Sequence, residues 1–219
     1  MAVSAADIKA LRQRTGAGIL DCKKALTEAD GNIDGAIDWL RAKGISKAAK
    51  KSSRAATDGL CASYIHANGK IGVLIEVNCE TDFVAKTDDF QNLVADIAMH
   101  IAASAPEYVS KDEVGADAIE REKQVQLQRV MEEGKPAHIA EKIVAGRMGK
   151  FYEDVCLLEQ KFVKDDSKTV QQLLEGAVST MGENIRVRRF ARFVLGEGLE
   201  KKQDNLAEEV AKMTGQAQA

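Results

Sequence analysis

The chain has 219 residues, 45% hydrophobic and 30% charged, so most of it should fold into one sizeable domain or two small ones. Only 5% of the residues are aromatic and two are proline, which favours helices with aliphatic seams. The net charge of −3 excludes a chain built throughout to coat nucleic acid or an anionic membrane.

Four cysteines stand at positions 22, 61, 79 and 156, too far apart for the paired spacing of a zinc or redox centre. We interpret them as reduced thiols in a cytosol-like compartment. The start lacks an apolar stretch of signal-peptide length, and no run approaches the ~18 apolar residues that a membrane helix needs. These features predict a soluble cytoplasmic protein that binds no metal, cofactor or membrane.

Residues 1–41 are predicted to form a small three-helix module. Ser4 and Asp7 have the spacing of a capping box, and TGAG at 15–18 and DGN at 30–32 are typical turn sequences. Apolar residues recur at helical spacing in all three segments. Three helices in about 40 residues enclose a very small core, which is typical of a binding module.

Residues 42–57 are predicted to be a basic linker. From Arg41 to Arg54 the chain carries six basic residues and no acidic one. Two interpretations stay open: a solvated linker, or a basic arm that contacts RNA or an acidic protein surface.

Residues 58–198 are predicted to form an α+β core. The strand-like runs LCASYIH and KIGVLIEVNC flank Asn68-Gly69, the strongest short hairpin signal because both turn positions need a positive φ. A helix with Thr87 as its N-cap follows, and residues 184–198 supply a third strand. One face of the second strand collects four apolar residues, Ile71, Val73, Ile75 and Val77.

Two charged helical stretches within residues 112–150, broken by EGKP at 133–136, predict a protruding antiparallel hairpin. Residues 155–163 have the pattern of a further strand, and the helix after them ends at Gly182. Residues 199–219 are predicted to form a C-terminal helical module, whose apolar stripe is Leu206, Val210 and Met213.

No catalytic or metal-binding constellation stands out. A glycine-rich phosphate loop in a strand–loop–helix context is missing from the sequence. Cys61 and His66 lie five apart on a strand and point to opposite faces, which predicts small buried thiols and a polar strand end. His100 falls in a predicted helix, where it should be partly exposed.

The arginines of the last strand should divide between its faces, with Arg186, Arg188 and Arg192 opposite Arg189. That division favours salt bridges within the sheet over an RNA surface.

CETDFVAK, residues 79–86, stands where the second strand gives way to a helix, and its aromatic ring has two alternative roles. One interpretation packs Phe83 or Val84 beneath the helix that starts near Thr87. The other exposes Phe83 beside the charge of Asp82, as in an interface hot spot. Either way, the sequence indicates a binding protein rather than an enzyme.

Three long motifs occur in order: LRQRTGAGILDCKKAL at 11–26, CETDFVAK at 79–86 and GENIRVRRFARFVLGEG at 182–198. They resemble bacterial elongation factor Ts in its short form, the family of guanine-nucleotide exchange factors for elongation factor Tu. The resemblance extends from about residue 4 to residue 213. It implies a ubiquitin-associated-like N-terminal module, an antiparallel three-stranded sheet packed on helices and a protruding helical hairpin.

The resemblance also implies contacts with elongation factor Tu, in its GDP-bound and nucleotide-free states. Asp82 and Phe83 would enter the GTPase domain and displace contacts to Mg²⁺ and phosphate, and Lys23 would contact the same domain. His66 matches a position that faces the third domain of the GTPase. The implied contact residues are Lys23, His66, Thr81, Asp82, Phe83, Val84, Leu206, Val210 and Met213. No bond is made or broken, so neither a catalytic residue nor a cofactor is implied.

One departure from the family pattern concerns the core. Longer relatives carry the TDFV motif and the Ser-Tyr-x-His motif on two subdomains, whereas here only Ile75 separates SYIHANGKIGVL from EVNCETDFVAK. A single fused subdomain should not reach both contact sites, which predicts a homodimer paired through the sheet or its helices. Two rival functions stay open: an adaptor for ubiquitin-like or other protein surfaces, and an RNA-binding translation factor that uses residues 41–54 and 186–192.

Overall fold

The computed structural model describes residues 3–199, apart from the side chains of residues 45, 47, 137 and 138. In this part of the chain the helices are α1 (Ala5–Thr15), α2 (Ile19–Glu28), α3 (Ile33–Lys51), α4 (Asp82–Ala85), α5 (Asp88–Ser104), α6 (Ala116–Glu132), α7 (Ala137–Val155) and α8 (Val170–Met181). The strands are β1 (Asp58–His66), β2 (Ile71–Cys79), β3 (Lys161–Phe162), β4 (Asp165–Thr169) and β5 (Arg186–Val194). Short 3₁₀ turns occupy Lys111–Glu113 and Leu157–Glu159.

The first three helices enclose a small core of their own. The Ser4 hydroxyl accepts a hydrogen bond from the backbone N–H of Asp7 and donates one to its carboxylate, which confirms Ser4 as the N-cap of α1 but not the reciprocal bond of a capping box. Gly16 ends α1 in the left-handed conformation, with a φ of 65°. The buried residues of this core are Leu11, Cys22, Ala25, Leu26 and Ala36.

Helix α3 extends to Lys51, beyond residue 41 where the predicted module ends. Much of the predicted basic linker is therefore helical. Lys43 pairs with Asp21, with 3.0 Å between Nζ and Oδ1, and its ammonium group lies over the Trp39 ring.

The second half of α3 packs on α8, where a Cβ added to Gly44 would lie 3.7 Å from the Cβ of Ser179. This close contact joins the N-terminal module to the core.

An antiparallel sheet in the order β1–β2–β5 forms the centre of the core, so the predicted α+β class is confirmed. The predicted hairpin joins β1 to β2, with φ of 58° at Asn68 and 81° at Gly69. One face of the sheet packs on α5, while the other is exposed. The packed face includes the predicted stripe, with Val73, Ile75 and Val77 buried and Ile71 partly buried.

The cysteines do not share one environment. Cys22, Cys79 and Cys156 are buried, as predicted for small thiols, but Cys61 is exposed. The prediction was wrong for Cys61 because pairing with Glu76 places it on the open face of the sheet.

Helices α6 and α7 form the predicted antiparallel hairpin. Val130, Ala140 and Met148 are buried in its seam, and Arg147 pairs with Glu133 at 2.7 Å between Nη2 and Oε1. Helix α6 packs chiefly on α7, so the hairpin projects from the core.

The strand predicted for residues 155–163 is wrong over most of its length. Helix α7 continues to Val155, a 3₁₀ turn follows, and only two residues of β3 pair with β4. The backbone N–H groups of Leu157 and Leu158 donate to the carbonyls of Tyr108 and Val109, so the hydrogen bonds of this segment go to a neighbouring loop. Short apolar runs do not by themselves distinguish a strand from other buried segments.

His100 is fully buried in α5, although its helical position predicted partial exposure. Its Nε2 lies 3.0 Å from Oε1 of Gln160, and the backbone N–H of Val163 donates to Nδ1 at 3.2 Å. Because Nδ1 accepts a hydrogen bond, the proton of the neutral ring belongs on Nε2. Burial lowers the pKa of His100, and the hydrogen bond to Gln160 opposes that effect.

We expect the protein to lose stability as the pH falls below about 6.5, the pKa of an unfolded histidine. Below this pH the unfolded chain binds a proton that folded His100 does not bind. The contribution of neutral His100 to the free energy of unfolding is therefore complete above about pH 6.5 and is lost as the pH falls towards the lowered pKa of the folded protein. Urea unfolding between about pH 5 and about pH 7.5 measures the slope. His100→Gln should flatten the slope, and an unchanged slope in this variant would assign the effect to other groups.

Candidate functional site

The chain turns from sheet to helix at residues 79–86 and displays Phe83 to solvent. Strand β2 ends at Cys79, and Thr81 caps α4 by accepting the backbone N–H of Val84 at 3.4 Å. Phe83 is 79% exposed, whereas Val84 packs partly buried against the main core and Ala85 is buried. The packing interpretation is therefore correct for Val84 and wrong for Phe83.

Asp82 lies beside the exposed ring and pairs within its own turn. The Lys86 ammonium donates to Oδ2 of Asp82 at 2.6 Å. This hydrogen bond lowers the pKa of Asp82 and raises the pKa of Lys86. Both groups are exposed, so the carboxylate stays ionised at neutral pH and can exchange Lys86 for a partner's group at small cost.

Lys23 is exposed on α2, in the N-terminal module. Ile19 and Leu20 precede it by four and three residues and are also exposed, so the three side chains form one mixed apolar and basic surface. The sequence prediction omits Ile19 and Leu20. A signal was present, since Leu20 falls outside the buried stripe of α2, Cys22, Ala25 and Leu26.

His66 lies at the far end of β1 from α4. Asp58 pairs with Cys79 and His66 pairs with Ile71, which separates the two ends by about 26 Å of strand. The Nδ1 atom of His66 lies 2.9 Å from the Tyr64 hydroxyl, and the rings of these two residues stack. One chain therefore does not bring His66 and Phe83 together. The predicted contacts Leu206, Val210 and Met213 lie outside the described residues.

The sequence matches one protein family over most of its length. The family model described as Elongation factor TS matches residues 6–197. The chain is 59% identical over 215 residues to Elongation factor Ts of Geobacter sulfurreducens, covering 98% of this chain and 100% of that protein. It is 61% identical over 213 residues to Elongation factor Ts of Anaeromyxobacter sp. (strain Fw109-5), covering 97% of each.

The chain belongs to the elongation factor Ts family. The resemblance seen in three motifs is thereby confirmed, and the protein is a factor of translation elongation. Within residues 3–199, none of the helices has both the length and the apolar character needed to cross a membrane.

The protein exposes an apolar patch on the open side of its sheet. Pairing places Leu74 between Ser63 and Ala191, and the next outward positions bring Ile65 beside Phe193 across Gly72. Ile65, Leu74 and Phe193 are all more than half exposed. We refer to the surface formed by Ile65, Leu74, Ala191 and Phe193 as the outer face.

The arginines of β5 are engaged within the fold. A β-bulge at Arg188 of β5 shifts the register between Glu76 and Val77, so that Arg188 and Arg189 both reach the Glu76 carboxylate. Arg192 instead donates to the carbonyl oxygen of Ala102 in α5. The predicted salt bridges within the sheet are confirmed for Arg188 and Arg189, but the predicted division between faces is wrong because the bulge reorders it.

Proposed function

We propose that this protein binds elongation factor Tu, in its GDP-bound and nucleotide-free states, and accelerates the release of GDP. Asp82 and Phe83 form a wedge that enters the GTPase domain of the partner and displaces contacts to Mg²⁺ and phosphate. The observation that carries the proposal is the 79% exposure of Phe83 on a capped turn. A large ring exposed on such a turn contributes little to the stability of the free protein, but its burial in a partner's pocket contributes much to binding.

The mechanism follows from thermodynamic linkage. A wedge that fits best when the phosphate and Mg²⁺ contacts are distorted weakens GDP binding, and GDP weakens the binding of the wedge by the same factor. No covalent bond changes, so the protein is an exchange factor and not an enzyme, and the nucleotide and metal belong to the partner. Its place of action is the bacterial cytoplasm, where translation elongation occurs.

Further contacts extend the interface beyond the wedge. The exposed surface of Ile19, Leu20 and Lys23 offers apolar area and one positive charge to the GTPase domain. Thr81 and Val84 frame the wedge, and His66 contacts the third domain of the partner. Leu206, Val210 and Met213, which lie outside the described residues, contribute further contacts.

The protein acts as a homodimer joined through the outer face. His66 and the wedge lie at opposite ends of the sheet, about 26 Å of strand apart, so one GTPase reaches both more readily from two copies. An exposed cluster of large apolar side chains favours association, and a two-fold pair uses the same surface twice.

Release of a fluorescent GDP analogue from elongation factor Tu tests the exchange function. The protein should increase the release rate by at least about tenfold at saturating concentration. If the rate is unchanged while the protein binds a ubiquitin-like surface, it is an adaptor. If the rate is unchanged and the protein binds RNA with a steep salt dependence, the RNA-binding alternative replaces this proposal.

A further inference from the structure

The turn that carries the wedge is held by a side chain from a distant part of the chain, Glu183. This residue follows Gly182, which ends α8 in the left-handed conformation. Its Oε2 accepts the backbone N–H groups of Glu80 at 3.0 Å and Thr81 at 3.1 Å. Its Oε1 accepts the Thr81 hydroxyl at 2.6 Å. One carboxylate therefore accepts three hydrogen bonds from the two residues that precede the wedge.

A second hydrogen bond joins the same two segments, with Glu80 as the acceptor. Oε1 of Glu80 accepts the backbone N–H of Asn184 at 2.7 Å and lies 3.5 Å from Nη1 of Arg54. The Asn184 side-chain amide donates to the carbonyl oxygens of Ser52 at 3.3 Å and Arg54 at 2.8 Å. The end of β2, the entry to β5 and the segment after α3 are thus joined at one point.

Helix α4 needs such support because it has only four residues. A single helical turn fixes many dihedral angles for few hydrogen bonds, so it does not persist by itself. Thr81 caps the turn through its hydroxyl oxygen, and the hydroxyl hydrogen points to Glu183. Glu183 therefore fixes the position of the backbone before the wedge and the orientation of the capping hydroxyl.

We propose that Glu183 is a positioning residue for the Asp82–Phe83 wedge. It acts through Glu80 and Thr81 and need not touch the partner. A ring whose supporting turn is already ordered loses less conformational entropy on insertion, which favours binding and fast exchange. The functional part of this proposal rests on the proposed exchange activity, whereas the structural part concerns the free protein alone.

Amide hydrogen exchange of the free protein tests the structural part. In Glu183→Ala the amides of Glu80 and Thr81 should exchange at least about tenfold faster, while the amides of α5 keep their protection. Glu175→Ala is the matched control, since Glu175 is a half-buried glutamate of α8 that accepts a hydrogen bond from Gln171 at 2.8 Å. It should leave Glu80 and Thr81 unchanged. Full protection of both amides in Glu183→Ala would overturn the proposal, whatever the activity of the protein.

A double-mutant cycle with Phe83→Ala tests the functional part. Glu183→Ala should lower stimulated GDP release about tenfold in the wild-type background and far less in Phe83→Ala, where Asp82 is the only part of the wedge left to position. Glu183→Gln, which keeps a carbonyl acceptor for the two N–H groups, should restore most of the rate. An equal loss in both backgrounds would reduce Glu183 to a general structural role. If wild type stimulates no release, the exchange function has failed and hydrogen exchange alone decides the role of Glu183.

Discussion

Phe83→Ala is expected to reduce stimulated GDP release by about 10- to 100-fold. Burying a phenylalanine side chain contributes about 1.5–3 kcal/mol, and each 1.4 kcal/mol lost from the transition state costs about tenfold in rate. Because the ring is 79% exposed in the free chain, its removal takes little from the core. The free energy of unfolding should therefore change by no more than about 0.5 kcal/mol. The effect is measured as the rate at which elongation factor Tu releases fluorescent GDP at increasing concentrations of the variant.

Two further variants define what a loss of rate means. Phe83→Leu keeps part of the apolar volume and should give an intermediate rate. Met131→Ala removes a similarly exposed apolar side chain from the helical hairpin and should behave as wild type. If Phe83→Ala and wild type stimulate GDP release equally, the wedge is not the acting element, and the surface around Lys23 or the contacts of Leu206, Val210 and Met213 account for the exchange.

Features set by neighbouring residues could be predicted from the sequence. The Ser4 cap spans three residues, and the Asn68-Gly69 turn depends on two residues that accept a positive φ. The apolar stripes of β2 and α5 follow from the repeat of each element, so the packed face of the sheet was also predictable. The long motifs pointed correctly to the elongation factor Ts family because they extend in order over nearly the whole chain.

Features set by tertiary partners could not be predicted in this way. Phe83 and Val84 are adjacent, and which of them faces the core depends on the direction of α4. That direction is set at Thr81, whose partner Glu183 is about a hundred residues away in the sequence. His100 is buried for a related reason, since Gln160 covers it from a segment whose strand-like pattern was misleading. Local periodicity carries no information about such contacts.

Leu74→Asp is expected to leave the chain monomeric at micromolar concentration, where the proposed homodimer of the wild-type chain forms. Leu74 is 54% exposed at the centre of the outer face, between Ser63 and Ala191. In a two-fold interface each residue occurs twice, so one substitution buries two carboxylates without partners. The dissociation constant should rise by about 1,000-fold or more, which corresponds to about 4 kcal/mol. Analytical ultracentrifugation distinguishes a single 23.7 kDa chain from a pair.

Met131→Asp is the control for this substitution, because it places the same charge on an exposed apolar residue of the hairpin and should sediment as wild type does. Leu74→Asp should keep the circular dichroism spectrum of the wild-type chain, since the side chain it replaces is already half exposed. A wild-type chain that sediments as a monomer would contradict the dimer. In that case one chain would have to present His66 and Phe83 to the same GTPase across about 26 Å of strand.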